Sequence, residues 1–253
     1  MLHLRAMKNF LSFKPLSKPE NYKGIGVMAV AGIHEALAQT LARAVPPGSR
    51  VADLGCGAGA FSQRLADMGF DVLSVDENNE GVFQAQTPFR QLDLENARQM
   101  AEFCEEFAGR FDAVICAEVI EHVENPWLLV RNIASLLAPG GVVIISTPNI
   151  GSWYSRLRFF LNGKFPFFYQ ADAEYGHIHA LSETELELIC ARAGLEVQSI
   201  TPAGHLPRLW LSGGLLTQLT NLLGFLGSFF MQGQWRGLCL IATARKEHTA
   251  KNE

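Results

Sequence analysis

Val51-Ala52-Asp53-Leu54-Gly55-Cys56-Gly57-Ala58-Gly59 decides the fold of this 253-residue chain. Val51 and Leu54 give it the apolar character of a strand covered on both faces, and three glycines at alternate positions strip the following turn of side chains. The helix predicted from Ala60 to Met68 starts directly afterwards, so its unpaired N–H groups and the positive end of its dipole converge on the turn. A second apolar strand, Asp71-Val72-Leu73-Ser74-Val75-Asp76, ends in an acid. In a doubly wound sheet a carboxylate at that tip is placed to accept hydrogen bonds from both hydroxyls of a ribose. The turn therefore reads as a nucleoside seat. Its spacing is not the Gly-x-Gly-x-x-Gly that seats a pyrophosphate on a helix start.

Outward from this stretch the chain alternates strands and helices. Upstream, Ile33, Leu37 and Leu41 share one face of a helix within Ala29 to Ala44, ended by Pro46-Pro47-Gly48. Downstream the pattern predicts a short helix over Glu77 to Gln86, a strand at Phe89 to Asp93, and a helix from Asn96 to Phe107. A nearly all-apolar and hence central strand follows at Phe111 to Ala117, then a helix from Pro126 to Leu137 with Leu128, Leu129, Ile133 and Leu136 inward, and a fifth strand at Val142 to Ser146. Strand–helix–strand repetition gives a parallel sheet with right-handed crossovers. Ser182 caps a helix ending at Ala193, with strands at Leu195 to Thr201 and Gly237 to Ala244 beyond it.

Two stretches interrupt this rhythm. Residues 150 to 180 crowd aromatics with Arg156, Arg158 and Lys164, and an aromatic, basic insertion at the ligand rim reads as a lid or acceptor pocket. Leu209 to Met231 is 23 residues without a charge, broken by glycines and polar amides. A spanning helix needs about 20 apolar residues, but a single span would strand the last β-segment across the membrane from its sheet. Two readings stay open for this stretch: a surface-lying hairpin giving peripheral membrane contact, or a buried lid or homodimer face.

Composition sets the remaining bounds. The length suits one α/β domain: an N-terminal arm over 1–28, a domain over 29–246 with a lid at 150–180 and a hydrophobic insertion at 203–235, and a polar tail at 247–253. A net charge of -4, from 21 basic and 25 acidic residues, gives no basic footprint for nucleic acid. Five cysteines without a Cys-x-x-Cys pair read as reduced core residues. With no signal-peptide pattern at the N-terminus, a cytoplasmic chain is expected, in peripheral contact with the membrane if the 209–231 reading holds.

With Asp53 ahead of it, the glycine turn resembles motif I of the class I S-adenosylmethionine-dependent methyltransferases, over roughly residues 45 to 200. The resemblance implies a Rossmann-like, doubly wound, seven-stranded α/β sheet, parallel except for one antiparallel strand, and S-adenosyl-L-methionine as cofactor. It implies that Gly55, Gly57 and Gly59 seat the methionine part, Asp53 supports its amino group, Asp76 binds the ribose, Asp93 the adenine, and Ala117 lines the cofactor. Read from the residues alone, Asp93 is equally a cap for the helix that follows.

The chemistry is expected at Glu118-Val119-Ile120-Glu121-His122, where spacing i, i+3, i+4 puts Glu118, Glu121 and His122 on one face if a helical turn begins at the fourth strand's end. In one reading His122 is a general base oriented by the glutamates. In another the three hold a divalent cation such as Mg2+ that lowers the pKa of an acceptor hydroxyl. A third is a structural turn. Glu-x-x-Glu-His followed by Ser146-Thr147-Pro148-Asn149 is similar to the ubiquinone-biosynthesis O-methyltransferases and the RNA 3'-terminal ribose methyltransferases, and this resemblance implies the cation. The RNA group's further histidine is matched by His177 or His179, although that group's accessory domains and basic balance are missing. The expected function is O-methylation of a small or lipid-like hydroxyl acceptor. The rivals are a non-catalytic methyltransferase-like module that binds a membrane or partner, and RNA 3'-terminal ribose methylation.

Overall fold

A computed structural model describes residues 20–78, 81–168, 176–204 and 232–247, together with 218–219, 222–223, 226–227 and 229–230. Most of the N-terminal arm, Ala173-Glu174-Tyr175, much of the 209–231 stretch and the end of the polar tail lie outside the described residues. A two-stranded ribbon, β1 (Asn21–Tyr22) and β2 (Ile25–Gly26), precedes α1 (Ile33–Ala44). The main sheet is built from β3 (Arg50–Leu54), β4 (Asp71–Asp76), β5 (Phe89–Gln91), β6 (Phe111–Ala117), β7 (Leu137–Pro148), β8 (Leu195–Ala203) and β9 (Cys239–Lys246). Between them run α2 (Ala60–Asp67), α3 (Ala97–Glu106), α4 (Pro126–Leu136), α5 (Trp153–Asn162) and α6 (Glu183–Arg192).

The strand order is β5-β4-β3-β6-β7-β9-β8, and every neighbour is parallel except around β9, which runs against both β7 and β8. The expected seven-stranded, doubly wound sheet with one reversed strand is what the chain forms. Both sheet faces are apolar, and alternate residues feed separate cores. Ala52, Leu54, Val114, Cys116, Val143 and Ile145 pack beneath α3, α4 and α6, while Val51, Ala113, Ile115, Val142 and Ile144 pack beneath α1 and α2. All five cysteines are free; Cys104 is half-buried and the other four are buried.

Local readings fail in three places. Residues 81–86 are not helical. Gln84 N donates to Ala58 O (3.0 Å) and Gln86 N to the Gln63 side chain (2.8 Å), so backbone donors a helix would use internally go to the glycine turn and α2. Pro88 also disfavours helix at the residue before it. In α4 the buried stripe is Leu129, Val130, Ile133, Ala134 and Leu136, which rotates Leu128 to the outside at 42% exposure. The fifth strand extends over Leu137–Pro148; its continuous ladders with β6 and β9 begin at Val142 after a register shift against β6, and β9 carries it past Ser146 to Pro148.

Because β9 is reversed, Cys239 starts opposite Pro148 and Ala203 ends opposite Cys239. The segment 232–238 is thereby delivered to the carboxyl rim of the parallel strands, the rim that carries the glycine turn. Asn149, 1% exposed, locks it there. Its Nδ2 donates to the carbonyls of Gln234 and Arg236 (both 2.8 Å) and, more loosely, Gly237 (3.3 Å), and its own N–H donates to Leu238 O (2.7 Å). Among the described residues, no helix is long and apolar enough to cross a membrane.

Asn149→Ala removes the Nδ2 donors and leaves buried carbonyls unpaired. A loss of about 2–3 kcal/mol is expected, read as a fall of roughly 5–10 °C in the thermal midpoint. A midpoint unchanged within about 1 °C would show that the strap is held by other contacts.

Candidate functional site

The turn after β3 keeps its shape through β4. Gly55 N and Cys56 N donate to Val75 O (2.8 and 3.1 Å), and Gly57 N donates to Asp76 Oδ2 (2.7 Å). The glycines are left-handed, with φ of 73°, 54° and 90° at Gly55, Gly57 and Gly59. They serve different ends. A Cβ at Gly55 would collide with Val119, and one at Gly59 would come within 2.6 Å of Phe83, whereas Gly57 faces open space with only Met28 Sδ near, 3.9 Å from a Cβ built there. Gly57 is the point where backbone is open to a ligand, and α2 starts beyond Gly59 with no side chain capping its first N–H groups.

Asp53 lies beneath this turn at 1% exposure, accepting a hydrogen bond from Ser62 Oγ (2.6 Å). Burial pushes its pKa up to about 6; the Ser62 hydrogen bond opposes this and the nearby Asp76 charge adds to it. Asp76 holds more than its sequence position implies, since Oδ1 accepts from Asn78 N (2.9 Å) and from the Asn78 side chain while Oδ2 holds Gly57. Leu92 N donates to Asp76 O (2.8 Å), which brings the exits of β4 and β5 together. Asp93 accepts from Glu95 N (2.9 Å), and the N-cap of α3 is Asn96, so Asp93 is a turn former ahead of the helix and not its cap. Ala117 ends β6, half-buried, opposite Ser146.

The expected helical face through Glu118, Glu121 and His122 does not form. Glu118 is left-handed (φ 56°), which breaks helical continuity and turns its side chain toward β7 and β9. Its N–H donates to the Ser146 carbonyl and hydroxyl (both 3.1 Å), and its carboxylate accepts from Ser146 Oγ (2.9 Å) and Cys239 Sγ (3.4 Å). Burial raises the Glu118 pKa, partly offset by these hydrogen bonds.

What the structure does bring together is Glu121, His122 and His177, each offering a ligand atom within 4.8 Å of the others. Glu121 is fully buried, and among the described residues neither carboxylate oxygen has a hydrogen-bond partner. The Thr147 hydroxyl lies close enough to ease its burial but falls outside hydrogen-bonding geometry. Burial and then the Glu118 charge raise the Glu121 pKa well above the usual carboxylate range. His177 Nδ1 lies 2.9 Å from Phe167 O, which fixes the tautomer with Nε2 as the lone-pair nitrogen. Its ring stands edge-on to His122, centroids 4.5 Å apart. Ile178 N and His179 N donate to Glu121 O (2.9 and 3.0 Å), so the lid is tied to the residue beneath it, while the His179 ring reaches Glu124 O (3.3 Å) instead. Sequence reasoning missed Ser62 and Phe83 and read Ser146 and Asn149 only as part of a motif; apart from Ser62, their partners are distant in the chain.

A family model described as "Methyltransferase domain" matches residues 30–200. Over 111 residues the chain is 39% identical to the ubiquinone biosynthesis O-methyltransferase of Xanthomonas axonopodis pv. citri, covering 43% of this chain and 46% of that protein. It therefore spans about half the length of that relative. The enzyme of the same name from Aromatoleum aromaticum is 30% identical over 164 residues, 63% of this chain and 69% of that one. Among solved structures, a SAM-dependent methyltransferase from Archaeoglobus fulgidus superposes with a TM-score of 0.58 at 18% identity, covering 84% of this chain and 94% of the other, which shows a shared fold.

The raised pKa of Asp53 has a signed consequence for stability. Its ionisation in the folded state opposes folding, so the penalty is absent below the unfolded value near 4 and complete above the folded value near 6. Asp53→Asn, which keeps an acceptor for Ser62, should stabilise the ligand-free protein above pH 6 by up to about 3 kcal/mol. The gain should vanish below pH 4 in denaturant melts. A gain independent of pH would refute the buried-charge account.

Proposed function

The chain belongs to the methyltransferase-domain family, and from that premise we propose that it transfers the methyl group of S-adenosylmethionine to a hydroxyl of a small or lipid-like acceptor, aided by a divalent cation such as Mg2+. The observation that carries the cation reading is a fully buried glutamate with both oxygens unpaired, facing two histidines at the cofactor rim. Buried polar groups are ordinarily satisfied, and an orphaned carboxylate beside imidazoles has the donor chemistry of a cation site. The two relatives named as ubiquinone biosynthesis O-methyltransferases support an oxygen acceptor.

The residues divide the work by location. Gly57 and the open start of α2 receive the amino-acid end of the cofactor, with Asp53 below to balance its ammonium group, which draws the Asp53 proton off. Asp76 and Asp93, at the joined exits of β4 and β5, take the ribose and the adenine. Glu121, His122 and His177 would hold the cation. When bound, it would lower the pKa of the acceptor hydroxyl. His177 is pre-oriented by Phe167 O, and Glu121 is kept dry by the lid segment that hydrogen-bonds its carbonyl. As the oxygen–methyl bond forms and the carbon–sulfur bond breaks, the hydroxyl proton must leave. Without a cation, His122 would be the base that accepts it.

Titration with Mn2+, followed by electron paramagnetic resonance, tests the cation site. Glu121→Gln and His177→Ala should each weaken binding about 10- to 100-fold, whereas Glu118→Gln should change it only a few-fold, because Glu118 is engaged with Ser146 and Cys239. Methyl transfer to a hydroxyl-bearing test acceptor should fall on chelation. If turnover survives chelation but is lost in His122→Ala, the histidine acts as base and the cation reading fails. Calorimetry with S-adenosylhomocysteine is the wider control: no binding would leave a methyltransferase-like module without activity.

A further inference from the structure

The glycine turn has an apolar side chain standing at its opening. Met28 is 89% exposed, and its Sδ lies 3.9 Å from the position a Cβ would take on Gly57. A single exposed apolar residue signifies nothing by itself, since such residues are common on protein surfaces. This one borders the glycine whose Cα faces open space and whose N–H is already fixed by Asp76. A thioether is thereby poised beside the backbone that receives the cofactor.

Met28 is held in this place from both sides. Upstream, β1 and β2 are joined by a two-residue turn in which Lys23 and Gly24 both have positive φ (52° and 89°), the turn that matches the twist of a hairpin. Tyr22 Oη donates to Asp67 Oδ2 (2.7 Å), Lys23 Nζ pairs with the same oxygen (2.8 Å), and the Arg64 guanidinium lies over the Tyr22 ring, 4.4 Å from its centroid. Surface contacts of this kind add little to stability, but together they set where the ribbon sits. Asp67 and Arg64 both belong to α2, the helix whose uncapped start faces the glycine turn. Val27 N donates to Glu20 O (2.9 Å), which carries the ribbon's pairing up to the residue before Met28. Downstream, Val30 and Ile33 pack against Gly204, where a Cβ would lie 3.3 and 3.4 Å from their side chains, and Ile33 is fully buried at the start of α1. Residues 27–31 are thus a short bridge fixed at both ends.

We propose that Met28 is a cover for S-adenosylmethionine: with the cofactor seated on the glycine turn, the Met28 side chain packs on its amino-acid end beside Gly57 and shields it from water. Burial of the thioether and its methyl group against the ligand favours the covered arrangement. An unbranched side chain with three rotatable bonds can follow the ligand without a shift of the backbone that carries it. Its polarisable sulfur is neutral, so it brings no charge to oppose the sulfonium. Water excluded at this end leaves the donor in one geometry for in-line transfer. The proposal rests on S-adenosylmethionine as cofactor and is independent of the acceptor and of the cation.

Methionine oxidation in the full chain reads the cover directly. Dilute hydrogen peroxide, followed by peptide mass spectrometry, should convert Met28 to its sulfoxide in the ligand-free protein, and saturating S-adenosylhomocysteine should slow this about tenfold. Met68, half-buried just past the end of α2 that lies away from the glycine turn, is the internal control and should oxidise at an unchanged rate. In calorimetric titration Met28→Ala should weaken S-adenosylhomocysteine binding about tenfold and Met28→Leu by no more than about twofold. Because Met28 is exposed, the thermal midpoint of either ligand-free variant should stay within about 1 °C of the parent. Oxidation of Met28 at the same rate with and without ligand overturns the proposal, and so does a Met28→Ala variant that binds as tightly as the parent. Absence of binding by the parent overturns the cofactor assignment as well, whereas binding without protection removes only the cover.

Discussion

The 2.7 Å hydrogen bond from Gly57 N to the Asp76 carboxylate is the constraint from which the rest of the site follows. It joins the tip of one parallel strand to the turn leaving the next, and it is possible because Leu54 is paired with Val75 and not with a residue one step along. A one-residue slip would move every side chain of β4 to the other face and carry the carboxylate away from the turn. With the register set by two apolar faces, Gly57 is fixed in a left-handed conformation with Asp53 beneath it and the unpaired start of α2 beside it. Packing energy spread across the sheet is thus converted into the placement of one backbone N–H.

Much of this was legible because parallel strands advertise themselves. Val51 to Leu54, Phe111 to Ala117 and Val142 to Ser146 are largely apolar runs too short for helices and bounded by turn residues, so a parallel sheet and its crossover sense followed. Legibility failed where a residue's partners are distant in sequence. The 81–86 segment has a plausible helical composition, but its amides are claimed by Ala58 and Gln63. The Glu118–His122 spacing promised one helical face; contacts with Ser146 and Cys239, the latter 121 residues away, hold Glu118 left-handed and turn its side chain toward β7 and β9. His177 could be nominated from sequence, but nothing local showed that Phe167 would fix its tautomer. Asn149 read only as the exit from a strand, and its role exists only because β9 is reversed.

Three carboxyl groups line the same rim, Asp53 and Glu121 buried and Glu118 half-buried, and desolvation raises the pKa of each. Their environments differ in a way that separates their roles. Asp53 has one hydroxyl partner and Glu118 has a hydroxyl, a thiol and a strained backbone, so both are restrained by the protein itself. Glu121 has neither partner nor exposure, and a like charge beside it. Both effects favour the neutral form of Glu121, and a cation or imidazolium facing it would favour the ionised one.

The polar and apolar halves of the rim are coupled through Asn149 and its neighbours. Thr147, which borders Glu121, lies two residues before Asn149, whose side chain holds the carbonyls of Gln234 and Arg236. Ser155, on the first turn of α5, donates to the Asn149 carbonyl (2.7 Å), so α5 and the strap share one anchor with the strand end that shapes the site. The placement of the strap beside the site is thus a consequence of one reversed strand, because β9 returns the chain to the rim where both are built.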